Sequence, residues 1–125
     1  MSPKQNFLIV DDSQGDRLLI EEALTNMGSD IKIHATEDGK EVFKIVDQLK
    51  PDLIVILDTL MPGMDGYEIC KKIKAMDERV KVIICTGIVD AVDAAKARAS
   101  GADDYCVKTV DYEPLIMAIK NILIN

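Results

Sequence analysis

Leu53-Ile54-Val55-Ile56-Leu57 runs without a polar residue straight into Asp58. Successive side chains of a strand point to opposite faces, so a strand that is apolar throughout is covered on both sides. Phe7-Leu8-Ile9-Val10 does the same and ends on Asp11-Asp12-Ser13. Outward from these two stretches the chain repeats one unit, a short apolar run followed by apolar residues at helical spacing. Phe7 to Val10 precedes Leu19, Ala23, Leu24 and Met27, and Ile31 to Ala35 precedes Val42, Ile45, Val46 and Leu49. Leu53 to Leu57 precedes Ile69, Cys70, Ile73 and Met76. Val80 to Cys85 precedes the alanine-rich Ala91 to Ala99, and Tyr105 to Val107 precedes Leu115, Ile119, Ile122 and Leu123.

Five strand-then-helix units make an α/β chain of (βα)5 type, too short to close an eight-stranded barrel. It is expected to form an open parallel five-stranded sheet with right-handed crossovers and helices on both faces. The joints carry matching turn chemistry. Asp38-Gly39-Lys40-Glu41 and Asp65-Gly66-Tyr67-Glu68 read as capping boxes, and Ser13, Asp90 and Asp111 as caps of the other three helices. Pro114 falls in a first turn, where its missing N–H is tolerated, and Gly28 and Gly101 follow helix ends, where a left-handed residue is wanted. Connections are short and no linker interrupts them, so residues 1–125 read as a single domain.

Composition narrows the function. The chain has 125 residues with 15 basic and 22 acidic side chains, a formal charge of −7. An acidic chain is a poor partner for phosphate backbones, which argues against nucleic acid. No apolar run approaches the roughly 18 residues of a membrane span, and Met1 to Phe7 has no signal-peptide core, which argues against a membrane. Cys70, Cys85 and Cys106 are odd in number and form no C-x-x-C pair, so a reducing, cytoplasmic setting is expected. Of the 22 acids 15 are Asp, the residue suited to caps, turns and cations more than to helix faces.

In open parallel sheets ligands bind at the carboxyl ends of the strands, beside the point where strand order reverses. The residues arriving there are Asp11 and Asp12 after the first strand, Asp58 after the third, Thr86-Gly87 after the fourth and Lys108 after the fifth. Taken alone, Asp11 and Asp12 read equally well as turn or capping residues. Three carboxylates gathered at one edge repel each other unless a divalent cation lies among them. Oxygen ligands without nearby His or Cys suit Mg²⁺, with Mn²⁺ next. An ammonium from Lys108 and a hydroxyl from Thr86 are what a phosphoryl group needs, and Gly87 leaves room for it. Asp58, from the central strand of the sequence, is the candidate nucleophile for an acyl phosphate.

Val10-Asp11-Asp12-Ser13, Leu57-Asp58, Met61-Pro62-Gly63-Met64-Asp65-Gly66, Thr86-Gly87, Gly101-Ala102-Asp103-Asp104-Tyr105 and Lys108 together resemble the response-regulator receiver domain of two-component signalling, over essentially the whole chain. The resemblance implies the flavodoxin-like strand order 2-1-3-4-5 of the chemotaxis receiver. It implies that Asp58 accepts a phosphoryl group from a sensor histidine kinase or a phosphotransfer protein. Asp12, Asp58 and the Leu60 carbonyl then bind Mg²⁺, Asp11 acting mainly through metal-bound water, while Thr86 and Lys108 hold phosphoryl oxygens. Thr86 and Tyr105 resemble the family's switch pair, which biases the surface of the fourth helix, fifth strand and fifth helix toward a downstream effector or a C-terminal output domain. Two departures stand out. Thr109 occupies the place of the family's usual proline after the lysine, so the Lys108–Thr109 peptide is expected to be trans. The stretch from Pro51 to Asp58 is one residue longer than usual, which implies a bulge or a later strand start.

The resulting expectation is a phosphoryl-accepting switch and not an enzyme. A small phosphohydrolase with an Asp nucleophile needs a second acid two residues on, where this chain has Leu60. A flavin binder needs a phosphate loop after the first strand, where Asp11 and Asp12 repel phosphate, and aromatic walls that a chain without Trp supplies poorly. A receiver-like interaction module that takes no phosphate is the alternative that Thr109 keeps open. Leu60 and Ile88, bulky and apolar beside the site, imply restricted water attack and a long-lived phosphoryl group. His34 is expected at the surface or in packing. Cys85 and Cys106 are read as small buried strand residues and Cys70 as a helix-face residue, Met61 and Met64 as an exposed apolar contact, and Ala91–Ala99 as a weakly held helix.

Overall fold

The computed structural model describes residues 5–61, 63–87 and 90–124, with Met64 described by its backbone alone. The expectations for Pro62, for Ile88 and for the Met64 side chain lie outside the described residues. The sheet strands are β1 (Gln5–Val10), β2 (Ile31–Thr36), β3 (Leu53–Leu57), β4 (Lys81–Thr86) and β5 (Asp104–Val107). The helices are α1 (Gln14–Thr25), α2 (Gly39–Leu49), α3 (Gly66–Met76), α4 (Ala91–Ala99) and α5 (Glu113–Leu123). All sheet pairs are parallel and the order is β2-β1-β3-β4-β5, as the resemblance implied. Leu60–Met61 and Met64–Asp65 form a small separate antiparallel ladder just before α3. Among the described residues no helix is long and apolar enough to cross a membrane.

The two-residue period of the strands divides the core in two. Leu8 and Val10 join Val42, Val46, Ile69, Ile73 and Ala97 on one face, under α2, α3 and α4. Phe7 and Ile9 join Ile20, Leu24, Leu115 and Ile119 on the other, under α1 and α5. Covering both faces removes the need for alternation in β1, β3 and β4, whose apolar residues from Phe7 onward are buried. β2 differs because it is an edge strand: Lys32 and Ala35 are exposed and His34 is half-buried.

Ser13, Asp38, Asp65 and Asp90 are the N-caps expected of them, each accepting a backbone N–H of the first turn. The full capping box fails at Asp38, whose own N–H donates to Thr36 Oγ1 at 3.0 Å and is not left for Glu41. Asp111 is not the cap of α5. Tyr112 takes that place in the left-handed region, at φ 55°, and Asp111 accepts the Glu113 N–H from one residue further out. Gly101 has the expected positive φ, 86°. Gly28 does not, because α1 closes with Asn26 in a right-handed conformation. β4 begins at Lys81 and not at Val80, and it includes Thr86. Met61 is buried in the core and is not an exposed contact. β3 carries no bulge: Leu53 N–H bonds Pro51 O at 2.9 Å, and the β1–β3 register runs unbroken to Val10 opposite Leu57.

Candidate functional site

Parallel pairing brings the acids together. Strand order reverses between β1, which pairs outward with β2, and β3, which leads to β4. Asp58 N–H donates to Val10 O at 2.9 Å, continuing the ladder one step past both strands and seating Asp58 beside Asp11. One carboxylate oxygen from each of Asp11, Asp12 and Asp58 lies within 4.8 Å of the other two. Asp11 and Asp58 are buried, and Asp12 faces solvent. On the far side, Thr86 pairs with Val107, and Lys108 N–H donates to Thr86 O at 2.8 Å, which delivers Lys108 to the same edge.

The Lys108 ammonium donates to Asp11 Oδ2 at 2.7 Å and to Asp16 Oδ2 at 2.8 Å, and it stands 3.7 Å from Asp58 Oδ2. Burial works against its charge, but the bonds to Asp11 and Asp16 prevail and push its pKa above the usual lysine range. Burial and the Asp11 charge hold Asp58 above the usual carboxylate range, opposed by Lys108 and by the N–H groups of Leu60 and Thr59. Those N–H groups reach Asp58 Oδ1 at 3.4 and 2.9 Å. Among the described residues Lys50–Pro51 is the sole cis peptide, so Lys108–Thr109 is trans as expected, and the lysine still reaches the acids.

The backbone at Asp58 has no slack behind it. A Cβ on Gly66, the first residue of α3, would come within 2.5 Å of the Asp58 carbonyl oxygen and 2.8 Å of Thr59 Cα. Only glycine lets that helix approach the acid-bearing turn so closely. Gly87 has open space around it, so no packing demands a glycine there, and the edge is roomy as expected.

Thr86 is buried, and its hydroxyl accepts from Thr59 Oγ1 at 3.3 Å. Tyr105 is half-buried against the α2–α3–α4 core. An open cleft of about 530 Å³ beside the acids is lined by Asp12, Thr59, Leu60, Tyr67, Asp93 and Lys96. The Leu60 side chain is 62% exposed at its rim and contributes little cover over Asp58. His34 lies on the outer strand β2, opposite Leu8, and all three cysteines are buried, Cys85 and Cys106 as expected.

Sequence reading missed several members of this edge. Asp16 binds Lys108 (2.8 Å), Arg17 Nη1 donates to Asp11 O (2.7 Å), and Tyr67 Oη donates to Asp93 Oδ1 (3.2 Å). Burial, and then the charge of Asp16, push the Tyr112 phenol above its usual range. Asp16 carried one available signal, an acid in the first turn of the helix that follows Asp11 and Asp12, but helix-terminus chemistry explains such an acid without a site.

A family model described as the response regulator receiver domain matches residues 7–120. The transcriptional regulatory protein AfsQ1 of Streptomyces coelicolor is 35% identical over 118 residues, 94% of this chain and 51% of that protein. The DNA-binding response regulator MtrA of Mycolicibacterium smegmatis is 32% identical over 117 residues, 94% and 50%. The chain thus spans about half the length of these curated relatives. The roles in transcription and DNA binding that their names carry belong to the longer proteins. The solved structure of the response regulator protein TrrA from Thermotoga maritima, in complex with Mg²⁺-BeF, superposes with a TM-score of 0.82 at 30% identity, covering 94% of this chain and 98% of that one.

Proposed function

The chain belongs to the response regulator receiver domain family, and from that membership we propose that it is a phosphoryl-accepting switch in which Asp58 is the acceptor. A phosphohistidine of a sensor kinase or phosphotransfer protein is the donor. An Asp58 carboxylate oxygen attacks phosphorus as the nitrogen–phosphorus bond breaks, and the histidine departs as neutral imidazole. The observation that carries this reading is the pairing of a buried acid with a cation: Asp58 Oδ2 lies 3.7 Å from the Lys108 ammonium, beside Asp11 and Asp12. The Thr109 departure had left a phosphate-free interaction module open. The trans peptide that still delivers Lys108 to the acids favours the phosphorylated reading.

The donor set fits a hard divalent cation, since three carboxylates converge with one of them held protonated-prone by its neighbours. Asp11, Asp12, Asp58 and the Leu60 carbonyl are the residues that would hold Mg²⁺. Bound there, Mg²⁺ supplies charge stabilisation for the transferring oxygens. In this reading Lys108 neutralises one phosphoryl oxygen and Thr86 donates to another. The new charge then biases Thr86 and Tyr105, and through them the α4–β5–α5 surface, toward an effector or an output domain in a cytoplasmic pathway. The acidic surface keeps nucleic acid out of the direct partners proposed for this domain.

The test is labelling with a small acyl-phosphate donor and Mg²⁺, read by mass spectrometry. The expected result is one hydroxylamine-sensitive phosphoryl adduct on the wild type and none on Asp58→Asn. An adduct that survives this substitution, or a wild type that stays unlabelled, overturns the assignment.

A further inference from the structure

Resting on that reading, we propose that Asp16 is the positioning residue that aims Lys108 at the phosphoryl group carried by Asp58. A lysine ammonium has three donors and no acceptor, at the end of a flexible four-carbon stem. One donor is taken by Asp11 Oδ2 at 2.7 Å and a second by Asp16 Oδ2 at 2.8 Å. With two of three N–H bonds fixed, the direction of the third follows from tetrahedral geometry. Asp58 Oδ2 is 3.7 Å away, beyond hydrogen-bond reach. The separation leaves the third donor for an oxygen borne on Asp58 and not for Asp58 itself.

The two anchors are not equivalent. Asp11 belongs to the three-carboxylate cluster, and its other oxygen already accepts the Ser13 N–H at 3.0 Å. Its hold on the ammonium therefore changes whenever the charge of the cluster changes. Asp16 stands outside that cluster, on the first turn of α1, with its backbone N–H tied to Ser13 Oγ at 3.2 Å. The loop behind the lysine supplies no comparable grip. Thr109 Oγ1 donates only locally, to Asp111 at 3.0 Å, and Val110 is 98% exposed. Head-group contacts, and not the backbone beyond it, set where Lys108 points, and Asp16 is the contact that outlasts a change at Asp11.

A purely structural role is the competing explanation, because an acid in a first turn stabilises its helix. The deciding experiment measures acyl-phosphate labelling of wild type, Asp16→Ala, Asp16→Asn, Lys108→Ala and the Asp16→Ala/Lys108→Ala double variant at saturating Mg²⁺. The nitrogen-bound proton signals of the Lys108 ammonium are followed by NMR in the wild type and both Asp16 variants. Truncating Asp16 is expected to slow labelling about tenfold, less than the loss of a whole preorganised donor. Asp16→Asn, which keeps an acceptor oxygen, should lie within about threefold of wild type, and the double variant should be no slower than Lys108→Ala. The ammonium signal, protected by two carboxylates, should be present in the wild type and Asp16→Asn and lost in Asp16→Ala. Asp16→Ala labelling at or above the wild-type rate overturns the proposal, as does a further tenfold slowing on the Lys108→Ala background. A wild type that takes no phosphate sinks the functional reading itself, whereas a labelled wild type with an unaffected Asp16→Ala sinks only the role of Asp16.

Discussion

At the scale of single residues, Asp11 and Asp58 are the expensive ones. Both are buried side by side, and among the described residues Lys108 is the cation paired with their carboxylates, one that Asp16 shares. Asp58 bears the imbalance: desolvation and Asp11 raise its pKa more than Lys108 and two N–H groups lower it. A carboxyl whose native pKa lies above its unfolded one binds its proton more tightly in the native state. Stability therefore falls as pH rises from about 3.9 through the native pKa, and stays lower above it. Without divalent cation at neutral pH, Asp58→Asn should unfold at higher urea than the wild type, and the gap should close as the pH drops below about 4. Urea unfolding across that range checks it, and a variant less stable than wild type at neutral pH contradicts the electrostatic account.

Among the elements, α4 is the one least committed to the core. Ala97 is its one buried residue, against three or four in α2, α3 and α5, and Val92 is exposed. Burial of one methyl contributes little, so polar contacts across from α3 matter more here than elsewhere. Tyr67 Oη donates to Asp93 Oδ1 at 3.2 Å, and Lys96 Nζ lies 5.9 Å from the centre of the Tyr67 ring. The same tyrosine lines the cleft beside the acids, so the grip on α4 and the mouth of the site share a side chain. Losing a hydrogen bond of about 1 kcal/mol corresponds to roughly a fivefold change in a local opening equilibrium. Tyr67→Phe should therefore speed hydrogen exchange of the α4 amides about fivefold while leaving those of β3 unchanged. Equal acceleration in both would mean that the residue supports the whole fold and not one helix.

For the whole molecule, the acidic balance and the gathered carboxylates act in the same direction. A chain of net charge −7 that concentrates three acids at one sheet edge is stabilised by any cation that binds the folded state alone. At a hundred times its dissociation constant such a cation adds about 2.7 kcal/mol, or about 10 °C in melting temperature for a domain of this size. Thermal unfolding with and without Mg²⁺ should show that rise in the wild type and lose most of it in Asp12→Asn. An equal rise in the variant would assign the effect to general screening.

What the sequence determined by itself is local. Apolar runs such as Leu53–Leu57, the helical spacing that follows them, and caps such as Ser13 and Asp90 are legible because period and capping depend on near neighbours in the chain. The acids Asp11, Asp12 and Asp58 were legible too, since a parallel sheet sends every strand's carboxyl end to one edge. The order of the strands was not: periodicity reports that a residue is buried, not which strand lies beside it, and the order came from resemblance alone. Asp16 meets Lys108 across 92 positions, and Thr59 meets Thr86 across 27. Tyr112 enters the left-handed region and buries its ring where Asp111 had read as the cap. Each of these depends on how β4, β5 and α1 come to rest against one another, a three-dimensional packing outcome that no spacing along the chain encodes.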